Sequence, residues 1–266
     1  MPELAEVVYF ARQWDAGVGK VITDVHVHAT CRVFRKGDVK ALTEELAGAK
    51  LKGARTHGKQ MLFEFTGDKW LNVHLGMTGE LSTQPADYEP AKHDHLVLIT
   101  KAVSLVFTDA RQFGAVYFTK SHGPPTDWQK LPPQPMDERF TVERLTALLQ
   151  RHGKVMLKSL LLDQRYFPGI GNWMADEVMW QIKLPPHVLA GKLTPVQIKA
   201  LHKALIKVCD VAIKTIGVNW GDPPKSWLFH YRWNKGQQCP RCGTDLVREE
   251  VRGRTACWCP KCQKEE

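Results

Sequence analysis

The chain opens Met1-Pro2-Glu3-Leu4-Ala5-Glu6, which brings an amine and a carboxylate together at one end. Removal of Met1 would leave Pro2 with a free secondary amine. An α-amino group titrates at about pH 8, so part of it is unprotonated near neutrality without the burial a lysine would need. A secondary amine that attacks the anomeric carbon of a sugar gives an iminium, an electron sink that labilises the neighbouring proton. Glu3 is then placed to act as acid or base on the same substrate. A plainer reading stands beside this one: Pro2 begins a helix, and Glu3 and Glu6 complement its positive end.

The second chemical signal lies at the other end. Cys239-Pro-Arg-Cys242 and Cys259-Pro-Lys-Cys262 are separated by 16 residues. Two such knuckles can close a tetrahedral thiolate site on zinc across a β-hairpin. Four thiolates leave no position for water, so one such ion holds shape and does no chemistry. Arg248, Arg252 and Arg254 lie between the knuckles and form either a phosphate-contacting finger or a basic surface. Cys257 reads as a spectator, and Cys31 and Cys209 as core thiols.

These residues need elements to position them. Leu4, Val7, Val8, Ala11 and Trp14 recur at helical spacing, which predicts an amphipathic helix over 2–16 ended by Gly17 and Gly19. Short β-rich runs follow at 21–29, 51–55, 60–65, 69–75, 95–100 and 104–108, with one short helix at 39–47 and a hairpin turn at Gly67-Asp68. Strands at this spacing predict a sandwich or barrel. Residues 121–137 hold five prolines and no periodicity, so they read as a linker without regular structure. Helical patterns then cover 141–152, 154–163, 173–182 and 194–216. The turn from Tyr166 to Asn172 is glycine-rich and opens onto a helix, whose exposed amides would suit a phosphate.

Hydrophobic residues make up 43% and charged residues 24% of the 266, an ordinary globular composition with one or two domains. No apolar run is long enough to span a membrane, and no secretion signal opens the chain, so the protein is expected to stay where it is made. Five cysteines crowded into 239–262 suit a reducing compartment. The formal charge of +9 is uneven, with 16 Lys/Arg against 15 Asp/Glu in 1–136 but 21 against 13 in 137–266. A basic excess in one half points to a polyanion such as nucleic acid, or to a solvated face.

Taken in order, five motifs resemble the formamidopyrimidine-DNA glycosylase/endonuclease VIII family over essentially the whole chain. They are the opening Pro-Glu-Leu-x-Glu, His74-Leu-Gly-Met77-Thr-Gly79, Asp109-Ala-Arg111-Gln-Phe113-Gly114, Pro168-Gly-Ile-Gly-Asn172-x-x-Ala175-Asp-Glu177 and the four-cysteine finger. The resemblance implies an α+β protein in parts: an N-terminal helix with a β-sandwich over 1–120, a linker at 121–137, a helix-two-turns-helix domain at 138–234 and a zinc finger at 235–266. It further implies a monomeric base excision repair enzyme of the cytoplasm or nucleoid, acting on damaged double-stranded DNA with one structural zinc ion. Pro2 would displace the damaged base and form a Schiff base, Glu3 would protonate the sugar, and β- and δ-elimination would break the strand. Lys59 matches a phosphate-contacting proton donor, and Arg254 a finger arginine that clamps the phosphates beside the lesion. Asn172, His93, Lys154, His74 and Lys158 match backbone contacts. Met77, Arg111 and Phe113 match side chains that fill the gap and probe the opposite base, although a lone Met or Phe is more often core. A base must leave the stack for its sugar to be reached, and an apolar wedge helps offset that cost.

Departures from the family pattern matter too. Ala5 and Ala110 each stand where a proline is usual, and neither touches the implied chemistry. Between Gly217 and Cys239 the chain carries Ser226-Trp227-Leu-Phe-His230 in place of the longer glycine-rich loop of relatives that excise 8-oxoguanine well. In this it looks like the plant and fungal branch, which generally lacks the finger. Ring-opened purines and hydantoins are therefore expected to be better substrates than 8-oxoguanine. Two rivals fit parts of the pattern: an oxidised-pyrimidine enzyme like endonuclease VIII, and a non-catalytic zinc-finger protein that binds damaged DNA. The second has no use for Pro2, Glu3 and Lys59 together.

Overall fold

A computed structural model describes residues 1–28, 30–35 and 37–264. The chain divides into two compact units, Met1–Pro2 with Glu6–Leu131, and Glu3–Ala5 with Pro132–Glu266.

The first helix, α1, runs Leu4–Arg12, and a 3-10 turn at Asp15–Gly17 follows where the sequence pattern predicted continued helix. The first unit holds two four-stranded antiparallel sheets. One has the order β1-β6-β7-β5, formed by Ile22–Val27, Asp94–Thr100, Val103–Thr108 and Glu80–Pro85. The other has the order β2-β3-β4-β8, formed by Leu51–His57, Gln60–Phe65, Lys69–His74 and Ala115–Lys120. The end of the expected strand at Ala29 lies outside the described residues. Val25, Leu96, Leu98 and Phe107 from one sheet share a buried core with Met61, Phe63, Phe65, Leu71 and Val73 from the other, and with Val7, Ala11 and Trp14. Burial of these apolar faces is the main drive for the sandwich. Gly67 and Asp68 both take positive φ (78° and 57°) in the three-residue turn, Thr66 to Asp68, that joins β3 to β4. Helix α2, Val39–Leu46, starts where the Asp38 side chain accepts the amide of Ala41 at 3.0 Å.

Strands β5 and β8 were not expected. β5 is polar (ELSTQP) and, among the described residues, pairs only with β7, so it lies at a sheet edge and needs no apolar pattern. The proline-rich stretch contains one helical turn, α3 (Thr126–Gln129), contrary to expectation; Pro125 ahead of it suits a helix start, and Gln129 Nε2 donates to the Pro124 carbonyl at 2.6 Å.

The second unit contains α4 (Val142–Arg151), α5 (Leu157–Leu161), α6 (Asn172–Gln181) and α7 (Pro195–Asn219), packed on one apolar core. α5 begins later than the pattern suggested because Met156 is bridged to Leu189 and the Leu157 amide donates to Val188, which draws the backbone out of helix. Thr194 and Gln197 form a reciprocal cap on α7, with Pro195 in its first turn. Residues Val247–Val251 (β9) and Arg254–Trp258 (β10) pair as a hairpin next to the clustered cysteines.

Candidate functional site

In the first unit, Gly58 (φ 56°) and Lys59 form the two-residue turn between β2 and β3. Lys59, matched in the sequence as a proton donor, therefore sits at a hairpin tip. Its Nζ lies 3.9 Å from the sulfur of Met1, so the fold brings this ammonium to the start of the chain. His74 ends β4, opposite Gln60 in the register, and its Nδ1 accepts the amide of Gly76 at 3.0 Å. Burial, helped by the positive charges of Lys59 and Arg35, pulls its pKa below that of a free imidazole. A neutral ring with Nδ1 accepting presents Nε2–H as a donor, the form suited to a phosphate oxygen.

Met77 and Phe113 are 39% and 42% exposed, which favours a contact role over the core reading. Arg111 stands with its guanidinium carbon 4.7 Å from the Phe113 ring centre. Asp109, which has no role in the motif reading, fixes these loops together. Its buried carboxylate accepts Thr78 Oγ1 at 2.7 Å, the Gly114 amide at 2.7 Å and the Arg111 amide at 3.3 Å. Gly76 (φ 63°) must be glycine, since a Cβ there would meet the Phe113 carbonyl carbon at 2.4 Å. His93 is partly buried, and its carbonyl accepts the Asp109 amide at 3.0 Å.

In the second unit, Glu3 is 5% exposed, and its two carboxylate oxygens accept the amides of Trp173 (3.0 Å) and Met174 (3.1 Å) in the first turn of α6. A helix N-terminus favours such an anion. The amides expected to take a phosphate therefore hold Glu3 instead. Gly171 makes room for it: an added Cβ would lie 2.1 Å from the Glu3 Cδ. Asn172 is partly exposed at the head of the helix, and its buried Oδ1 finds no partner among the described residues. Lys154 is exposed. Arg254 is exposed as well and opens β10 after a tight turn at Arg252 and Gly253 (φ 48° and 77°).

Lys158 departs from expectation. It is 1% exposed, and its ammonium is bonded to the Asp176 carboxylate and to the Thr255 carbonyl at 2.8 Å, so it does not reach a phosphate. Desolvation lowers its pKa against the pull of Asp176.

The sulfurs of Cys239, Cys242, Cys259 and Cys262 all lie within 4.8 Å of one another. Ligands at the zinc–thiolate distance of about 2.3 Å in a tetrahedron stand roughly 3.8 Å apart, so the set fits one zinc ion. Trp180 Nε1 donates to the Cys239 sulfur at 3.4 Å, the kind of outer contact that orients a ligand. Cys257 is buried, and burial pushes its thiol up to about 11; Cys31 and Cys209 are buried thiols raised in the same direction.

Three family models match the chain: the formamidopyrimidine-DNA glycosylase N-terminal domain at 1–116, the H2TH domain of the same enzymes at 131–220, and the zinc finger found in FPG and IleRS at 236–264. The formamidopyrimidine-DNA glycosylase of Carboxydothermus hydrogenoformans is 31% identical over 273 residues, covering 99% of this chain and 100% of its own. That of Pelotomaculum thermopropionicum is 33% identical, with 99% of each chain covered. Among solved structures, Lactococcus lactis Fpg with abasic-site DNA superposes with a TM-score of 0.87 at 28% identity, over 99% of this chain and 100% of that one. The same enzyme with DNA containing an oxidised pyrimidine gives 0.87 at 29% identity over the same shares. No helix among the described residues is long and apolar enough to cross a membrane.

Proposed function

This chain belongs to the formamidopyrimidine-DNA glycosylase family, and from that membership we propose that it is a bifunctional DNA glycosylase and abasic-site lyase that removes oxidised bases from duplex DNA. The observation that carries the reading is the Glu3 carboxylate, gripped by two amides of α6 and joined by one peptide bond to Pro2. A carboxylate held there has few orientations, and it is bonded directly to the residue whose nitrogen would attack.

With Met1 removed, the Pro2 nitrogen forms a bond to C1′ and gives up its own proton, while the glycosidic bond breaks and its electron pair leaves with the base. Glu3 delivers a proton to the ring oxygen, the sugar opens, and nitrogen and C1′ share the iminium. Loss of the C2′ proton expels the 3′ phosphate, and loss of the C4′ proton then expels the 5′ phosphate. Lys59 supplies positive charge and a proton beside these phosphates. Arg254, Asn172, Lys154, His74 and His93 hold the backbone, while Met77, Phe113 and Arg111 occupy the vacated stack and meet the orphaned base. Cys239, Cys242, Cys259 and Cys262 would hold the zinc ion, which braces the hairpin bearing Arg254.

Borohydride should trap the processed protein covalently on a duplex with an abasic site. Pro2→Gly, or protein that retains Met1, should trap at least about a hundredfold more slowly. Equal trapping by amine-blocked protein would end the reading. Among lesions, we place ring-opened purines and hydantoins ahead of 8-oxoguanine, because Ser226-Trp227-Leu-Phe-His230 replaces a longer covering loop. Single-turnover excision rates on the three lesions check this, and an 8-oxoguanine rate equal to the fastest would refute it.

A further inference from the structure

The second unit contains a buried cluster of charges that none of the proposed chemistry uses. Asp176 is 3% exposed, and its carboxylate accepts Arg232 Nη2 at 2.7 Å, the Cys257 amide at 3.1 Å and the Lys158 ammonium. Lys158 also donates to the Thr255 carbonyl at 2.8 Å. Four separate pieces of chain meet at these atoms: α5 through Lys158, α6 through Asp176, the 228–233 segment through Arg232, and β10 through Thr255 and Cys257. Two neighbours connect the arrangement to the proposed DNA contacts. Thr255 directly follows Arg254, and Asp176 lies four residues, about one helical turn, beyond Asn172.

Buried ion pairs are a weak source of stability, because desolvation offsets most of the attraction, but they are demanding about geometry. An apolar contact would let β10 slide on α6. A carboxylate that must satisfy an ammonium, a guanidinium and a strand amide permits one register. We propose that Lys158, Asp176 and Arg232 form a positioning cluster that sets β10 against α6, so that Arg254 and Asn172 grip the DNA backbone as a pair. Lys158 thus acts on DNA through Arg254 and touches no phosphate. The inference rests on the reading of Arg254 as a phosphate clamp.

Lys158→Met is the informative variant. It leaves Asp176 and Arg232 as a balanced pair, whereas loss of Asp176 alone would strand two buried cations. Binding to a duplex with a tetrahydrofuran abasic analogue, followed by anisotropy across a salt series, separates the possibilities. Lys158→Met should weaken binding about tenfold when Arg254 is present and less than about twofold in an Arg254→Ala background, with no further change in salt slope there. A slope lowered by about 0.9 in the Arg254→Ala background would mean a direct phosphate contact and overturn the proposal. So would an unchanged Kd accompanied only by a lower melting temperature. If Lys158→Met does not fold, Lys158→Met with Asp176→Asn keeps the cluster's net charge and should show the same dependence on Arg254. An Arg254→Ala variant that binds as tightly as the parent removes the clamp reading and this inference together. A damaging Arg254→Ala with a harmless Lys158→Met removes only the inference.

Discussion

Glu177 is fully buried on α6, where it accepts the Phe229 amide at 3.0 Å and Gln181 Nε2 at 2.9 Å. Burial nevertheless raises its carboxyl from the usual range to about 7. Because the folded pKa exceeds the unfolded one, its contribution to stability is full below about pH 4.5 and is lost as pH rises through 7. The loss should amount to about 3 kcal/mol, and Glu177→Gln should flatten that part of the profile; urea unfolding of both proteins at pH 5 and pH 8 measures the difference. The family resemblance, not their types alone, favours Pro2 and Glu3 over a plain helix start, whereas the four cysteines were legible in the sequence because type and spacing name a zinc site. Asp176, Glu177 and Arg232 were not. A charged residue on a helix reads as a solvated face, and nothing local reveals that Asp176 meets an arginine 56 residues away. The helix-start amides failed for the same reason, since their partner, Glu3, is 170 residues distant in sequence.

Elements were legible where one face is buried and the other wet. β3, with Met61, Phe63 and Phe65 turned to the core, announces itself, as does the long capped α7. Edge strand β5 and the single turn α3 are set by neighbours and by proline geometry, which the alternation of apolar residues does not encode. The β9–β10 hairpin packs beside a small apolar cluster of Trp180, Leu228, Cys239, Cys257 and Cys259, so a zinc ion on the four cysteines would add much of what holds its shape. Chelation should therefore release one zinc per chain and weaken DNA binding at least as much as Arg254→Ala does. A chelated protein that binds DNA like the parent would show that the finger holds its form without metal.

At the scale of the molecule, the uneven charge is plain in the sequence, and a polyanion partner or a solvated face would each account for it. The excess in 137–266 includes Lys154 and Arg254, both exposed, and excludes Lys158, whose charge is consumed internally. With Lys59, the exposed pair should give a slope of log Kd against log salt of about 2.7, with further phosphate contacts steepening it. A flat profile on undamaged duplex would mean that this basic excess is not a DNA face. The division into two compact units was only roughly visible, because the prolines of 121–137 mark a change of character while the switch at Pro2–Glu3 and back at Ala5–Glu6 has no compositional sign.

Side-by-side acids on α6 fasten the 228–232 stretch twice, Glu177 at the Phe229 amide and Asp176 at the Arg232 guanidinium. A stretch nailed at both ends cannot sweep shut like an eyelid. Whatever selectivity it lends must come from a preformed mould that admits or refuses a shape on arrival, so its preferences should change little with temperature or viscosity, and broadening them would call for cutting a nail rather than lengthening a hinge.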